Sequence, residues 1–185
     1  MKVRTLVAIG MLLCGAHLST LPAIAQRGAI RISEAEEESV REAAIDPAGR
    51  VLVYQTIIET RIRHIQDVLR DKRAQGRRED LHQYMQDIAG LVTELEDNMD
   101  DYDHAHRDLR KPLPKLSDAL ERWKSVLKQP PDDDAYNLAR KLALEAVVDL
   151  QKEATDLLPA QKAYFKDHSP VKDEPREGAV VGARE

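Results

Sequence analysis

Cysteine is nearly absent from this 185-residue chain, which has a single copy, Cys14, close to the N-terminus. One thiol excludes an internal disulfide and the multi-cysteine metal sites. Aromatic residues make up only 4% of the sequence, and it contains no Gly-rich phosphate loop, HExxH motif or GxSxG motif. The sequence therefore predicts a non-catalytic protein without a cofactor, held together by aliphatic packing.

Long hydrophobic runs are also missing, apart from a short one near the N-terminus. Lys2 and Arg4 precede an apolar run over residues 6–13, and the small residues Ala23 and Ala25 suit a peptidase cleavage site. The run is too short to cross a bilayer, which takes about 20 residues. We predict a signal peptide at residues 1–25, export to the periplasm or beyond, and no transmembrane segment in the mature chain.

A concentrated basic face is the third absence. Charged residues make up 33% of the chain and its formal net charge is −5, with acids and bases interspersed. Nucleic-acid binding needs a cluster of bases that neutralises phosphates. The charge pattern therefore argues against nucleic acid as a partner.

Apolar residues are present with a helical period. They recur every three or four positions over residues 51–69, 81–109, 116–127 and 136–157, the spacing that places them on one face of a helix. No segment alternates with period two, so strands are not expected. The pattern predicts an all-α fold, most simply an antiparallel up-down bundle of about four main helices, although a proline bend could make the second and third one broken rod.

Helix-start and helix-stop signals divide the chain further. A capping box at Ser33 and Glu36 predicts a short N-terminal helix, and Pro47 suits the first turn of the next one. We also expect residues 132–134, three aspartates, to cap the last helix, and Pro159 to kink or stop it. The predicted organisation is a lead-in with a short helix over residues 26–45, a helical bundle over 46–168 and a disordered tail over 169–185.

One polar ladder carries the candidate metal ligands. Its members follow one another at intervals of four, three and four, which places them on one outward side of the predicted second long helix: Asp97, Asp101, His104 and Asp108. A solvated helix face and a weak surface metal site are both compatible with this spacing. His106 differs, since the same period places it on the apolar stripe.

A second apolar strip is the candidate partner surface. Four aliphatic residues lie off the main stripes of the first and last long helices, namely Ile57, Val68, Leu144 and Val148. They predict either a contact with a protein partner or a second copy, or a wide core face. The leading hypothesis is an exported structural, adaptor or chaperone-like protein; the alternative is a metal-binding or small-ligand-binding bundle of the cell envelope.

Overall fold

The computed structural model describes residues 30–73 and 75–170. The predicted signal peptide and the predicted tail from residue 171 onward lie outside the described residues. Five α-helices and one 3-10 turn follow one another, and the described residues contain no strand: α1 Glu34–Glu42, the 3-10 turn Ala43–Ile45, α2 Pro47–Arg70, α3 Arg77–His104, α4 Leu113–Leu127 and α5 Asn137–Asp167. The all-α prediction, with four main helices and one short N-terminal helix, is confirmed.

The four long helices form a bundle around one aliphatic core. The chain runs up and down through them in turn, and the packed pairs are α2 with α3, α3 with α5, α5 with α4, and α4 with α2. Consecutive helices α3 and α4 thus lie across a diagonal, and α3 and α5 become neighbours that run in the same direction. Side-chain bonds to the adjoining loops hold this pair at both ends: His82 of α3 bonds to the carbonyl of Ala135, just before α5, and Gln161 of α5 accepts the N–H of Leu109, just after α3.

The helix starts follow the sequence signals. Ser33 and Glu36 make the predicted capping box, in which each side chain accepts from the other residue's main-chain N–H. Pro47 occupies the first turn of α2, where its missing N–H costs nothing. Gly76 has a φ of 72° just before α3, a backbone conformation that glycine adopts without steric cost. No helix in the described part of the chain is long and apolar enough to cross a membrane.

The end of α3 departs from the prediction. The apolar period continues to Leu109, yet the helix ends at His104. His106 adopts a φ of 53°, Arg107 donates its N–H to the carbonyl of Tyr102, and His106 donates to that of Asp103. These are the two bonds of a Schellman motif, which closes a helix with a left-handed residue, usually glycine. His106 is therefore exposed instead of on the core face, and its ring stacks on Tyr164 at 4.4 Å.

The start of the last helix differs from the expectation. The aspartates at 132–134 do not cap α5, which begins at Asn137 after Tyr136. Asp133 instead accepts from the N–H of Ala135 and from the Arg78 guanidinium, so it closes the preceding turn and fastens it to α3. Of the two effects expected of Pro159, a stop does not occur, because α5 continues to Asp167 and packs Gln161 and Phe165 into the interior.

Candidate functional site

The structure does not assemble the predicted metal ladder. Asp97, Asp101 and His104 are exposed on the outer side of α3, as the period indicates. Asp108 is not on that helix: it lies four residues beyond the end of α3. The expected fourth step of the ladder is therefore wrong, because the Schellman turn interrupts the helical period.

Two residues of that ladder, His104 and Asp108, have hydrogen-bond partners elsewhere. Asp108 forms a two-oxygen pair with Arg110 at 2.8 and 2.7 Å, which lowers the pKa of the Asp108 carboxyl. His104 bonds through Nδ1 to the carbonyl of Asp100, and this bond together with the Asp100 charge raises the pKa of the imidazole. Among the described residues, no three histidine, cysteine or acidic side chains are grouped so that they could hold a metal ion.

The predicted partner strip is mostly part of the core. Ile57 is only 4% exposed and belongs to the main cluster, while Val68 and Leu144 are half-buried against it. Of the four residues, only Val148 is substantially exposed, at 49%. Ile57 thus belongs to a wide core face, the second of the two alternatives, because α2 buries a broad face between α3 and α4 and receives α1 on a further side.

The most distinctive surface lies between α3 and α5, where seven carboxyl groups and one lysine, Lys152, line a groove. Two apolar residues, Leu157 and Ala160, also line it. We call this groove the acidic seam; its carboxyl groups are those of Glu96, Asp97, Asp100, Asp103, Asp149, Glu153 and Asp156. Because α3 and α5 run in the same direction, the C-terminal part of α3 lies beside the middle of α5, and acids of both helices line the same groove.

The crowded carboxyl groups disturb one another's ionisation. Partial burial, followed by repulsion from Glu96, Asp100 and other seam acids, raises the pKa of Glu153 from 4.5 to about 7. Burial is also the main reason that the pKa of Glu96 is raised, with Asp149 the largest charge contribution. The seam therefore has a standing excess of negative charge that a cation would relieve.

Exposed leucines extend the seam along α5. Leu138 is 68% exposed and Leu142 48% exposed. The positions 138, 142, 149, 153 and 156 follow the helical period, so the leucines and the seam acids of α5 share one flank. A surface that is apolar at one end and acidic at the other results.

Sequence reasoning missed this surface because its two halves come from α3 and α5, which are neighbours in space but far apart in the sequence. The seam acids of α3 and those of α5 are separated by more than 40 positions, and the period of one helix does not reveal its neighbours. The available signal was on α5, where two leucines fall off the apolar stripe and line up with acids.

Fold and surface together define a class, a compact four-helix bundle with an acid-lined, partly apolar outer face. Comparison with known proteins adds no relative to this description: no family model matches the chain, and neither a curated protein nor a solved structure is detectably similar to it.

Proposed function

We propose that this chain is an exported, non-catalytic adaptor that binds a basic amphipathic helix of a partner protein along the outer flank of α5 and the acidic seam. The observation that carries the proposal is that the exposed leucines, Leu138 and Leu142, share one flank of α5 with acids of a groove lined by seven carboxyl groups. Export rests on the N-terminal sequence features of a signal peptide.

Charge complementarity selects the occupant. A groove with seven acids and one base attracts lysine and arginine side chains, and attraction of this kind mainly sets orientation and association rate. Leucines at one end supply apolar contacts, which contribute about 25 cal/mol per Å² of surface that is buried. A helix with bases on one part and apolar residues on another satisfies both ends of the surface.

The dimensions of the surface fit a helix of moderate length. From Leu138 to Asp156, α5 rises by roughly 27 Å at about 1.5 Å per residue. A partner helix of about five turns would cover both ends at once. A single small cation would cover only the acids and would leave the leucines in water.

A synthetic peptide tests the proposal. The probe is a fluorescent 18-residue helix with lysines toward one end of its binding face and leucines toward the other, and its binding is followed by fluorescence anisotropy. A scrambled peptide of equal composition controls for attraction by charge alone. We expect the ordered peptide to bind at least about tenfold more tightly than the scrambled one, a difference of about 1.4 kcal/mol.

Variants of α5 locate the contact. Leu138→Ser with Leu142→Ser should weaken binding about tenfold, and Asp149→Asn with Glu153→Gln should weaken it and flatten its dependence on salt. Val148→Ser is the matched control, because Val148 is similarly exposed on α5 but lies about 100° round the helix from the flank. The proposal would be contradicted if Val148→Ser weakened binding as much as the leucine variant does, or if the scrambled peptide bound as tightly as the ordered one.

A further inference from the structure

The segment before α2 lies against the bundle as an arm. We define the N-terminal arm as residues 30–42, an extended stretch followed by α1. None of the nine residues of α1 is buried, and α1 packs against α2 and the 3-10 turn. Within the described residues, the buried hydrophobic core begins at Val51, and the arm adds two partly buried residues to it, Ile30 and Val40. The core of the bundle is therefore nearly complete without the arm.

Two side chains of the bundle hold the arm by hydrogen bonds. Asp87 of α3 accepts the N–H of Arg31 at 3.0 Å, and Arg61 of α2 donates to the carbonyl of Arg31 at 2.6 Å. Arg61 also donates to both carboxylate oxygens of Glu36, and this pair is the main reason that the pKa of Glu36 falls to about 2. We call the ion pair of Arg61 with Glu36 the latch.

A glycine of α3 admits the apolar end of the arm. A Cβ placed on Gly90 would lie 2.5 Å from Cγ1 and 2.8 Å from Cδ1 of Ile30, closer than carbon atoms pack without repulsion. Glycine inside a helix is less favourable than alanine. The close approach of Ile30 gives a physical reason for glycine at this position, and any side chain there would obstruct the arm.

The surface beneath the arm is largely charged. Arg61 and Asp87 are 8% and 3% exposed while the arm covers them, and lifting the arm would return both to water, which hydrates charged groups well. The Nε of Arg61 lies 4.0 Å from Oδ2 of Asp87, so each retains an opposite charge beside it. Opening of the arm gives up a few hydrogen bonds and the contact of Ile30, whereas the core between the four long helices stays covered.

The link between the arm and α2 has the features of a hinge. The 3-10 turn Ala43–Ile45 has no buried residue, and the backbone of Asp46 is extended, with φ −114° and ψ 94°. Pro47 then begins α2 with a φ already suited to a helix, and Arg50 donates its N–H to the carbonyl of Asp46 at 2.8 Å. The first turn of α2 is therefore formed by residues 46–50 and does not depend on where the arm lies.

We propose that the N-terminal arm is a strap that opens and closes on a bundle that stays folded, held shut by the latch and hinged at residues 43–46. Separate opening is the behaviour of segments that have few buried apolar contacts and few bonds to the rest of the fold. The arm, Arg61, Asp87 and Gly90 share no residue with the acidic seam, so this inference does not rest on the proposed function.

Hydrogen exchange of the native protein measures the opening of each helix separately. The full chain is exchanged in D2O, digested with pepsin and analysed by mass spectrometry, and each rate is divided by the rate of the unstructured peptide. We expect the amides of residues 37–42 to exchange at least about a hundredfold faster than the slowest amides of α5, because the arm opens without unfolding of the bundle.

Gly90→Ala loosens the arm from a position outside it. The added methyl obstructs Ile30, so exchange over residues 37–42 should rise about tenfold. Exchange in α5 should not rise, because alanine favours the helical state of α3 more than glycine does. Since Gly90 lies on α3, this response separates opening of the whole arm from fraying of α1 alone.

Glu36→Gln tests the latch itself. Glutamine loses the charge that pairs with Arg61 but can still complete the capping box of α1, and exchange over residues 37–42 should rise about tenfold. Glu37→Gln is the matched control, because Glu37 pairs with the exposed Arg41 at 3.3 Å and does not contact Arg61. Its effect should be no more than about threefold.

A reversible disulfide closes the strap. The Cβ of Ile30 and a Cβ built on Gly90 are 3.9 Å apart, a separation suited to a disulfide. The double variant Ile30→Cys with Gly90→Cys is made in the chain carrying Cys14→Ser and compared before and after reduction. We expect the oxidised form to exchange over residues 37–42 at least about tenfold more slowly than the reduced form.

The proposal is overturned if residues 37–42 exchange as slowly as the slowest amides of α5, because arm and bundle then open together. It is also overturned if Gly90→Ala and Glu36→Gln leave the exchange of the arm unchanged, or accelerate α5 as much as the arm. A double variant that forms no disulfide, or whose arm exchanges equally fast in both redox forms, contradicts the assigned contact of Ile30 with Gly90 and the strap that depends on it.

Discussion

Replacement of Glu153 by glutamine tests the electrostatics of the acidic seam. The pKa of this carboxyl is about 7 in the folded protein and 4.5 as its ordinary value. Between these two values the folded state holds the proton more tightly than the unfolded state, so the free energy of unfolding falls as pH rises. Its contribution is complete below about pH 4.5 and is lost once the pH exceeds about 7.

The expected change in the free energy of unfolding follows from the pKa shift of Glu153 and from the exposure of its side chain. A difference between 4.5 and about 7 would correspond to roughly 3 kcal/mol if it acted in full. Because Glu153 is only half-buried, solvent screens the repulsion and we expect about 1 to 2 kcal/mol. Glutamine resembles the protonated acid, so Glu153→Gln should be about that much more stable than the unmodified protein at pH 8, and nearly equal to it near pH 4.5.

Urea unfolding followed by circular dichroism measures this difference across the pH range. The matched control is Glu145→Gln, an exposed glutamate of α5 that pairs with Lys141 at 3.6 Å and lies outside the seam. Its effect should stay within about 0.5 kcal/mol at every pH. The reasoning fails if Glu153→Gln changes stability equally at pH 4.5 and pH 8, since a carboxyl that titrates near its ordinary value gives no such dependence between these limits.

Three further outcomes follow from buried contacts. Arg61→Ala should cost about 3 kcal/mol in urea unfolding, because two carboxylates lose their buried partner. Gln161→Leu should cost about 1 to 3 kcal/mol, measured as a lower thermal midpoint, because the N–H of Leu109 loses its 2.7 Å acceptor. Ile57→Lys should remove much of the helical circular dichroism signal whereas Val148→Lys should not, since Ile57 is 4% and Val148 49% exposed; equal loss in both would contradict the assigned burial.

Helical period was enough to predict most of the fold. The stripe over residues 51–69 lies within α2, and the short stripe over 116–127 matches α4, because each has apolar residues on one side and charged residues on the other. Local capping chemistry also predicted the start of α1. These features depend on residues within a few positions of one another, which is the range that a sequence pattern reports.

Features that depend on distant contacts could not be predicted in this way. His106 continues the apolar period, but a Schellman turn places it outside the helix, and histidine is not the residue that normally marks such a turn. The period of α2 leaves open whether Ile57 belongs to a partner strip or to a wide core face, because it does not reveal how many neighbours surround the helix. Placement of α5 beside α3, and with it the acidic seam, requires the order of helices around the bundle.

Two properties of the acidic seam, its cost in stability and its proposed affinity for a basic helix, have the same origin. Two neighbouring helices bring the acid-rich end of α3 beside the acids in the middle of α5, which weakens the folded state above neutral pH through repulsion and partial burial. A basic partner helix would reverse that balance, because it interacts more strongly with the ionised form of Glu153 than with the protonated form. Binding and ionisation are then linked, and each favours the other by the same free energy. The repulsion that costs stability in the free protein is therefore the source of affinity that we propose for the partner.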